Sequence, residues 1–168
     1  MVAGFRPLRA AVKWELMYLL HQTYTAIILV TLTLIIQSAG MAALIQWLKA
    51  HFPKGIYHLG IFRSSVLMVR FTSLLVCLHI AQILLWTSFY RWKRFATWEA
   101  AFYFSAAEYA TVGSDLLLKQ MWRALGPVES VTGVLMCGLS AGFLFAVVTR
   151  LIVLEQPELA NPAAMNTT

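Results

Sequence analysis

Three consecutive residues, Thr111, Val112 and Gly113, have the types and spacing of a backbone site for a monovalent cation. An aromatic, alanine-rich run at 101–110 (AFYFSAAEYA) precedes them and is typical of a short helix. The three carbonyl oxygens and the Thr111 hydroxyl can together replace the hydration shell of a cation. Gly113 permits a backbone conformation that a side chain would resist. A single chain cannot enclose an ion with these groups, whereas four copies around one axis can.

Two acidic side chains flank this tripeptide. Asp115 is either one member of a four-fold carboxylate ring that concentrates cations at the mouth of the site, or a solvated loop acid. The short Gly-Ser-Asp turn favours the ring. We expect Glu108, together with Tyr109, to support the loop from behind through a hydrogen bond to neighbouring backbone. The alternative for Glu108 is a protonated carboxyl, because an unpaired charge at membrane depth is costly.

The composition is that of a membrane protein. The 168 residues are 60% hydrophobic and 12% charged, and a soluble domain of this size could not bury so much apolar surface. Asp, Glu, Lys and Arg are absent from three stretches, at 16–48, 71–90 and 131–149. Each stretch meets or nearly meets the roughly 20 residues that span a bilayer core. We therefore expect an all-α integral membrane protein with three transmembrane helices.

A shorter element precedes Thr111. Thr97 is suited to cap a helix that begins beside it, and Glu99 would complement the positive end of the helix dipole. The resulting helix is too short to span a bilayer, so the natural assignment is a re-entrant helix. The first apolar stretch is too long for one straight crossing. As a helix it would extend about 50 Å, whereas the hydrocarbon core is about 30 Å thick. We expect a crossing near 20–40 and a break or tilt at 38–40.

The order of these elements resembles the pore of small bacterial potassium-channel-type proteins, members of the two-helix ion channel superfamily. The resemblance covers roughly residues 70–151 and rests on LHIAQILLWTSFY at 78–90, WEAAFYFSAAEYATVG at 98–113 and VTGVLMCGLSAGFLFAVVTRL at 131–151. It implies an outer helix, a pore helix, a TVGYGD-like filter and an inner helix, arranged as a homotetramer in the cell membrane, here a bacterial inner membrane. The first transmembrane helix would be an additional element.

This resemblance divides the chain into three parts. Residues 1–64 form an N-terminal segment with the first transmembrane helix and a connecting loop, residues 65–153 form the pore domain, and residues 154–168 form a polar tail that we expect to be disordered. The pore domain is expected to contain an outer helix at 65–91, a pore helix at 97–109, a filter at 110–116 and an inner helix at 127–153. The filter residues would be Thr111, Val112, Gly113, Ser114 and Asp115.

The filter departs from the family pattern in its outer half. Where the family has Tyr-Gly-Asp, this chain has only Ser114 and Asp115, so that the bracing aromatic and the second glycine are missing. Potassium selectivity is attributed to a stack of carbonyl sites. Loss of the outer sites predicts a cation channel with weak selectivity among monovalent cations, potassium and sodium being the permeant ions bound at Thr111, Val112 and Gly113. The alternative is a non-conducting interaction, accessory or sensing protein on a channel-like scaffold.

Gly138 and Gly142 lie in the inner helix and suggest a hinge that opens a gate. Close packing of helices through small residues is the other explanation, and both can hold. Cys77 and Cys137 fall inside apolar runs, which we interpret as packing positions rather than a disulfide or a metal pair.

Other function classes find no support in the sequence. No nucleophile with a neighbouring base, no glycine-rich phosphate loop and no metal-ligand spacing appears, so we expect no enzyme activity and no cofactor. The net charge of +6 comes from basic residues beside the apolar runs. Such residues anchor helix ends near lipid headgroups, so we expect membrane lipid and further copies of the chain as partners, and no nucleic acid.

Overall fold

The computed structural model describes residues 8–51, 61–116, 118 and 122–155. Four α-helices account for nearly all of these residues, and no strand occurs among them. The helices are α1 (Leu8–His51), α2 (Ile61–Lys93), α3 (Trp98–Tyr109) and α4 (Leu125–Glu155). The predicted all-helical fold class is thereby confirmed. Most of the expected tail and of the connecting loop lies outside the described residues.

Three of the helices are long and apolar enough to cross a membrane, as in a multi-pass membrane protein. The spans are Lys13–Ala50, Ser65–Lys93 and Leu125–Thr149. Each contains at least the 20 or so residues that about 30 Å of hydrocarbon requires. The expected outer and inner helices at 65–91 and 127–153 therefore coincide with α2 and α4, which extend a few residues further at each end.

The expected break in the first helix is absent. Helix α1 runs without interruption for 44 residues, through Ser38 and Gly40. A Cβ atom at Gly40 would lie 2.5 Å from a methyl carbon of Leu78, so this glycine permits close packing of α1 on α2. A single glycine keeps its backbone hydrogen bonds in a helix and costs only about 1 kcal/mol relative to alanine. Close packing of α1 on α2, rather than a break in α1, explains the glycine at position 40.

Helix α3 begins as the sequence predicts. Thr97 has extended backbone angles (φ −122°, ψ 151°), and its hydroxyl oxygen accepts a hydrogen bond of 3.3 Å from the backbone N–H of Ala100. Glu99 lies in the first turn, where its negative charge complements the helix dipole. The 12 residues of α3 extend about 18 Å, roughly half of the hydrocarbon thickness.

The chain forms two compact units, and α3 belongs to the first. This unit comprises Met1–Ile35 and Gln82–Val134. Trp86 is fully buried and donates a hydrogen bond of 3.0 Å from Nε1 to the hydroxyl of Thr33, which joins α2 to α1. The hydrophobic core around this pair contains Leu29, Trp86, Tyr90, Ala101, Phe104, Trp122 and Leu125.

The second unit comprises Ile36–Ala81 and Leu135–Thr168. Its core contains Leu44, Leu67, Phe71, Leu75 and Val147. Gln37 of α1 donates a buried hydrogen bond of 2.9 Å to the hydroxyl of Ser140 on α4. Cys77 and Cys137 are free thiols in this unit, so they do not form a disulfide with each other, and both are exposed in the single chain. Apolar neighbours in the sequence did not reveal which helix face each thiol occupies.

Candidate functional site

Helix α3 is attached to α2 by two hydrogen bonds near the middle and the end of α3. The hydroxyl of the buried residue Ser105 is 3.1 Å from the carbonyl oxygen of Ile83, and it donates to that oxygen. The Tyr109 hydroxyl donates a bond of 2.6 Å to Oε1 of Gln82, and both side chains are buried. Gln82 is a polar residue in an otherwise apolar part of α2. Its side chain binds Tyr109, the last residue of α3.

Helix α4 also contacts α3. The hydroxyl of Ser130 donates to the Glu108 carbonyl oxygen at 2.8 Å and lies 3.3 Å from the Glu108 carboxylate. The Cα of Gly133 faces the carbonyl of Tyr109 so closely that a Cβ at this position would overlap the carbonyl oxygen. The end of α3 is therefore fixed by α4 at backbone level.

A buried carboxyl group connects the same helices. Glu129 of α4 has no exposed surface, and its Oε1 is 2.5 Å from the Ser105 hydroxyl. The Tyr90 hydroxyl of α2 is also buried, and it lies close enough to the Glu129 carboxyl to interact with it. Neither Glu129 nor Ser105 was predicted from the sequence. The available signal was a polar residue within an apolar helical segment, which in membrane proteins faces the protein interior.

The end of α3 is a backbone cap. The N–H of Thr111 donates to the Glu108 carbonyl at 2.9 Å, and the N–H of Val112 donates to the Ala107 carbonyl at 2.9 Å. These are the two bonds of a Schellman motif, which requires a left-handed residue after the helix. Thr111 supplies that residue with φ of +60°, at a cost of about 1 kcal/mol for a residue with a side chain.

The loop that follows offers oxygen atoms to a ligand. The N–H of Gly113, whose φ is +79°, also donates to the Ala107 carbonyl, at 3.2 Å. Since the N–H groups of residues 111–113 all donate to carbonyl oxygens of α3, the polar groups that remain in this loop are carbonyl and hydroxyl oxygens. All three residues are exposed in the single chain, and Val112 is 81% exposed.

The remaining predicted site residues occupy distinct positions. Ser114 is half-buried and its hydroxyl accepts a bond of 3.1 Å from the N–H of Leu116, while Asp115 is exposed. The Glu108 carboxylate lies against Ser130 of α4, rather than on the loop backbone as we expected. Gly138 and Gly142 are exposed within α4, which continues through both. The described part of the chain contains no cluster of three His, Cys, Asp or Glu side chains that could hold a metal ion.

The bond from Tyr109 to Gln82 gives a direct test of how α3 is held. A Tyr109→Phe variant removes the donor and should lower the free energy of unfolding in detergent by about 1 kcal/mol, in the range of buried hydrogen bonds in membrane proteins. Tyr103→Phe is the matched control, because Tyr103 lies on the same helix and is 57% exposed. Equal stability of the two variants would show that the hydroxyl of Tyr109 contributes nothing to the position of α3.

Comparisons of the chain with protein-family models, with curated proteins and with solved structures give no match. The likeness to potassium-channel-type proteins therefore stays a prediction from the order and spacing of sequence elements. The function has to be argued from the short helix, its cap and the exposed loop.

Proposed function

We propose that this protein forms a tetrameric potassium-channel-type pore in the cell membrane, which conducts monovalent cations with weak selectivity. The observation that carries the proposal is the loop at Thr111–Gly113, which is exposed at the end of a half-length helix and has its N–H groups turned away. An exposed loop of oxygen atoms between two membrane-length helices suits cation coordination better than anion binding. Four such loops around one axis would together supply the oxygen atoms that replace the hydration shell of a cation.

The connections of α3 support a re-entrant path. Only residues 94–97 join α2 to α3, so in a membrane α3 would start on the side where α2 ends. The end of α2 has interfacial chemistry: the Lys93 amine lies 4.0 Å from the centre of the Trp92 ring, and Arg91 lies 5.9 Å from that of Trp98. Aromatic and basic residues of this kind occur at headgroup level. From there, 12 residues reach about half-way into the hydrocarbon.

The structure of the loop favours weak selectivity. The turn closes back on α3 within residues 111–113, and the Ser114 hydroxyl is engaged with Leu116. The stack of backbone oxygens is therefore short. Since discrimination between potassium and sodium depends on the number and field of such sites, a short stack should attract cations and distinguish them poorly.

Flux measurements in liposomes test the proposal. We expect the reconstituted protein to pass potassium and sodium under separate gradients. Asp115→Asn should reduce both fluxes roughly tenfold at low salt and less at high salt, because a charged mouth raises the local cation concentration. Glu99→Gln is the matched control, since this exposed acid lies at the opposite end of α3.

The outcomes separate the candidate functions. A strong preference for potassium would show that the short loop keeps a full set of sites, which contradicts the predicted selectivity. Absence of flux in verified tetramers would contradict conduction and favour the accessory or sensing role. An equal loss of flux in Asp115→Asn and Glu99→Gln would show that Asp115 has no special place at the mouth.

A further inference from the structure

A polar contact joins α1 to α4 in the second compact unit. The side-chain amide of Gln37 donates a hydrogen bond to the Ser140 hydroxyl, and the two side chains are 1% and 6% exposed. Ser140 lies between Gly138 and Gly142, the two positions that the sequence suggests as a hinge. Helix α4 is continuous through this segment. The contact is therefore placed where it can act on bending of α4.

The position of Ser140 distinguishes the two glycines. A bend at Gly138 moves Ser140 together with the rest of α4 and separates it from Gln37. A bend at Gly142 leaves both partners in place. A Cβ at either glycine meets nothing within 4 Å, so the side chains of the same copy leave room for movement at both. The hydrogen bond can thus restrain a bend at Gly138 and has no effect on a bend at Gly142.

Gln37 is held in place by the packing of α1 on α2. Gly40, about one turn further along α1, allows close contact with Leu78 of α2. Leu44 belongs to the same apolar core as Phe71 of α2. This part of α1 is therefore supported by α2, and Ser140 is the partner that moves when α4 bends.

The hydrogen bond differs from the other contacts of this part of α4. Beyond Gly138, the buried side chains in the described part of α4 are those of Ser140 and Val147. Val147 packs in an apolar core, and acyl chains can replace such contacts because lipid tails are as apolar as the side chains. Lipid tails offer the Gln37 amide no hydrogen-bond acceptor in place of Ser140. The bond from Gln37 is thus the contact that lipid cannot replace when α4 bends.

We propose that the hydrogen bond from Gln37 to Ser140 restrains α4 against bending at Gly138 and thereby regulates opening of the pore. The regulation rests on the proposed conduction, whereas the restraint is a property of the folded chain. Helix α1 lies outside the part of the chain that resembles potassium-channel-type proteins. The restraint is therefore a feature that this additional helix brings to the pore domain.

Hydrogen–deuterium exchange of the detergent-solubilised protein measures the restraint without requiring conduction. A bend at Gly138 opens backbone hydrogen bonds of that turn, so the amides of residues 138–142 report it. They should exchange about threefold faster in Ser140→Ala and in Gln37→Leu, the factor that a hydrogen bond between membrane helices typically contributes. The double variant should exchange no faster than either single variant, because the two residues form one interaction. Cation flux in liposomes should rise by the same factor.

Thr33→Val is the matched control, because it removes the acceptor of a buried hydrogen bond that joins α1 to α2 and does not involve α4. It should leave both the exchange of residues 138–142 and the flux at wild-type values. Wild-type exchange in Ser140→Ala and Gln37→Leu, or equally fast exchange in Thr33→Val, would overturn the restraint.

The flux measurements separate the restraint from the proposed pore. Faster exchange in the two variants with the flux of a conducting wild type would overturn the regulation of opening. Faster exchange together with no flux from wild-type liposomes would support the restraint and contradict conduction alone.

Discussion

Replacing Gly133 with alanine should abolish cation flux and destabilise the protein by about 1–3 kcal/mol. A Cβ at this position would overlap the Tyr109 carbonyl, and this oxygen belongs to the backbone at the end of α3. Backbone cannot rotate away as a side chain does, so α3 or α4 has to move, at the cost expected for overpacking. The displacement falls two residues before Thr111, where the proposed ion-binding oxygens begin. Flux assays and unfolding in detergent measure the two effects.

Gly138→Ala is the matched control for stability on the same helix. A Cβ there meets nothing within 4 Å, so this variant should be as stable as the wild type or more stable by up to about 1 kcal/mol. It also tests the predicted hinge, because loss of flux without loss of stability would be the signature of a flexing position. A Gly133→Ala protein with normal flux and stability would refute the rigid contact between Gly133 and Tyr109.

The second large effect is expected at Glu129. Glu129→Ala should lower the free energy of unfolding by about 2 kcal/mol or more, since it removes a fully buried partner of Ser105 and leaves a cavity. Glu129→Gln should retain most of the stability. The Ser105 hydroxyl has one proton and two acceptors nearby, the Ile83 carbonyl and the Glu129 carboxyl. An amide at 129 can donate to the Ser105 hydroxyl while that hydroxyl donates to the Ile83 carbonyl, so that both contacts are kept.

Unfolding measurements on the two variants distinguish the explanations. If Glu129→Gln is as unstable as Glu129→Ala, Glu129 stabilises the fold through its negative charge rather than through a hydrogen bond. If both variants match the wild type, the contact with Ser105 does not hold α3 to α4. The additional variant Ser105→Ala should be destabilised in the wild-type background and should add little in the background of Glu129→Ala, because the two residues form one interaction.

The sequence predicts the helices well because their signals are local. Apolar length marks the spans, and Thr97 with Glu99 marks the start of α3, since capping depends on neighbours in the chain. The expected break near Gly40 is absent, because the role of this glycine depends on a residue that is distant in the sequence. A glycine in a helix is explained by its distant partner, here Leu78, and the sequence does not show which helix faces it.

The candidate site combines a loop that is contiguous in the sequence with supports that are not. Thr111, Val112 and Gly113 are adjacent, so the sequence alone brings them together. The supports of α3 are pairs such as Tyr109 with Gln82 and Ser105 with Glu129, whose members are 27 and 24 residues apart. Helical periodicity places Gln82 on a face but does not rank the possible partners of that face. Such pairs become visible only when the helices are packed.

The backbone cap at the end of α3 has a consequence for assembly. Loops usually lose conformational entropy when they join an interface, and that loss weakens association. The loop at residues 111–113 is exposed, yet its N–H groups are bonded to Ala107 and Glu108 within the single chain. Most of its ordering cost is therefore met when the chain folds. In the proposed tetramer, chains meeting through this loop would bring preorganised surfaces together, and their association would lose little entropy at the point of contact.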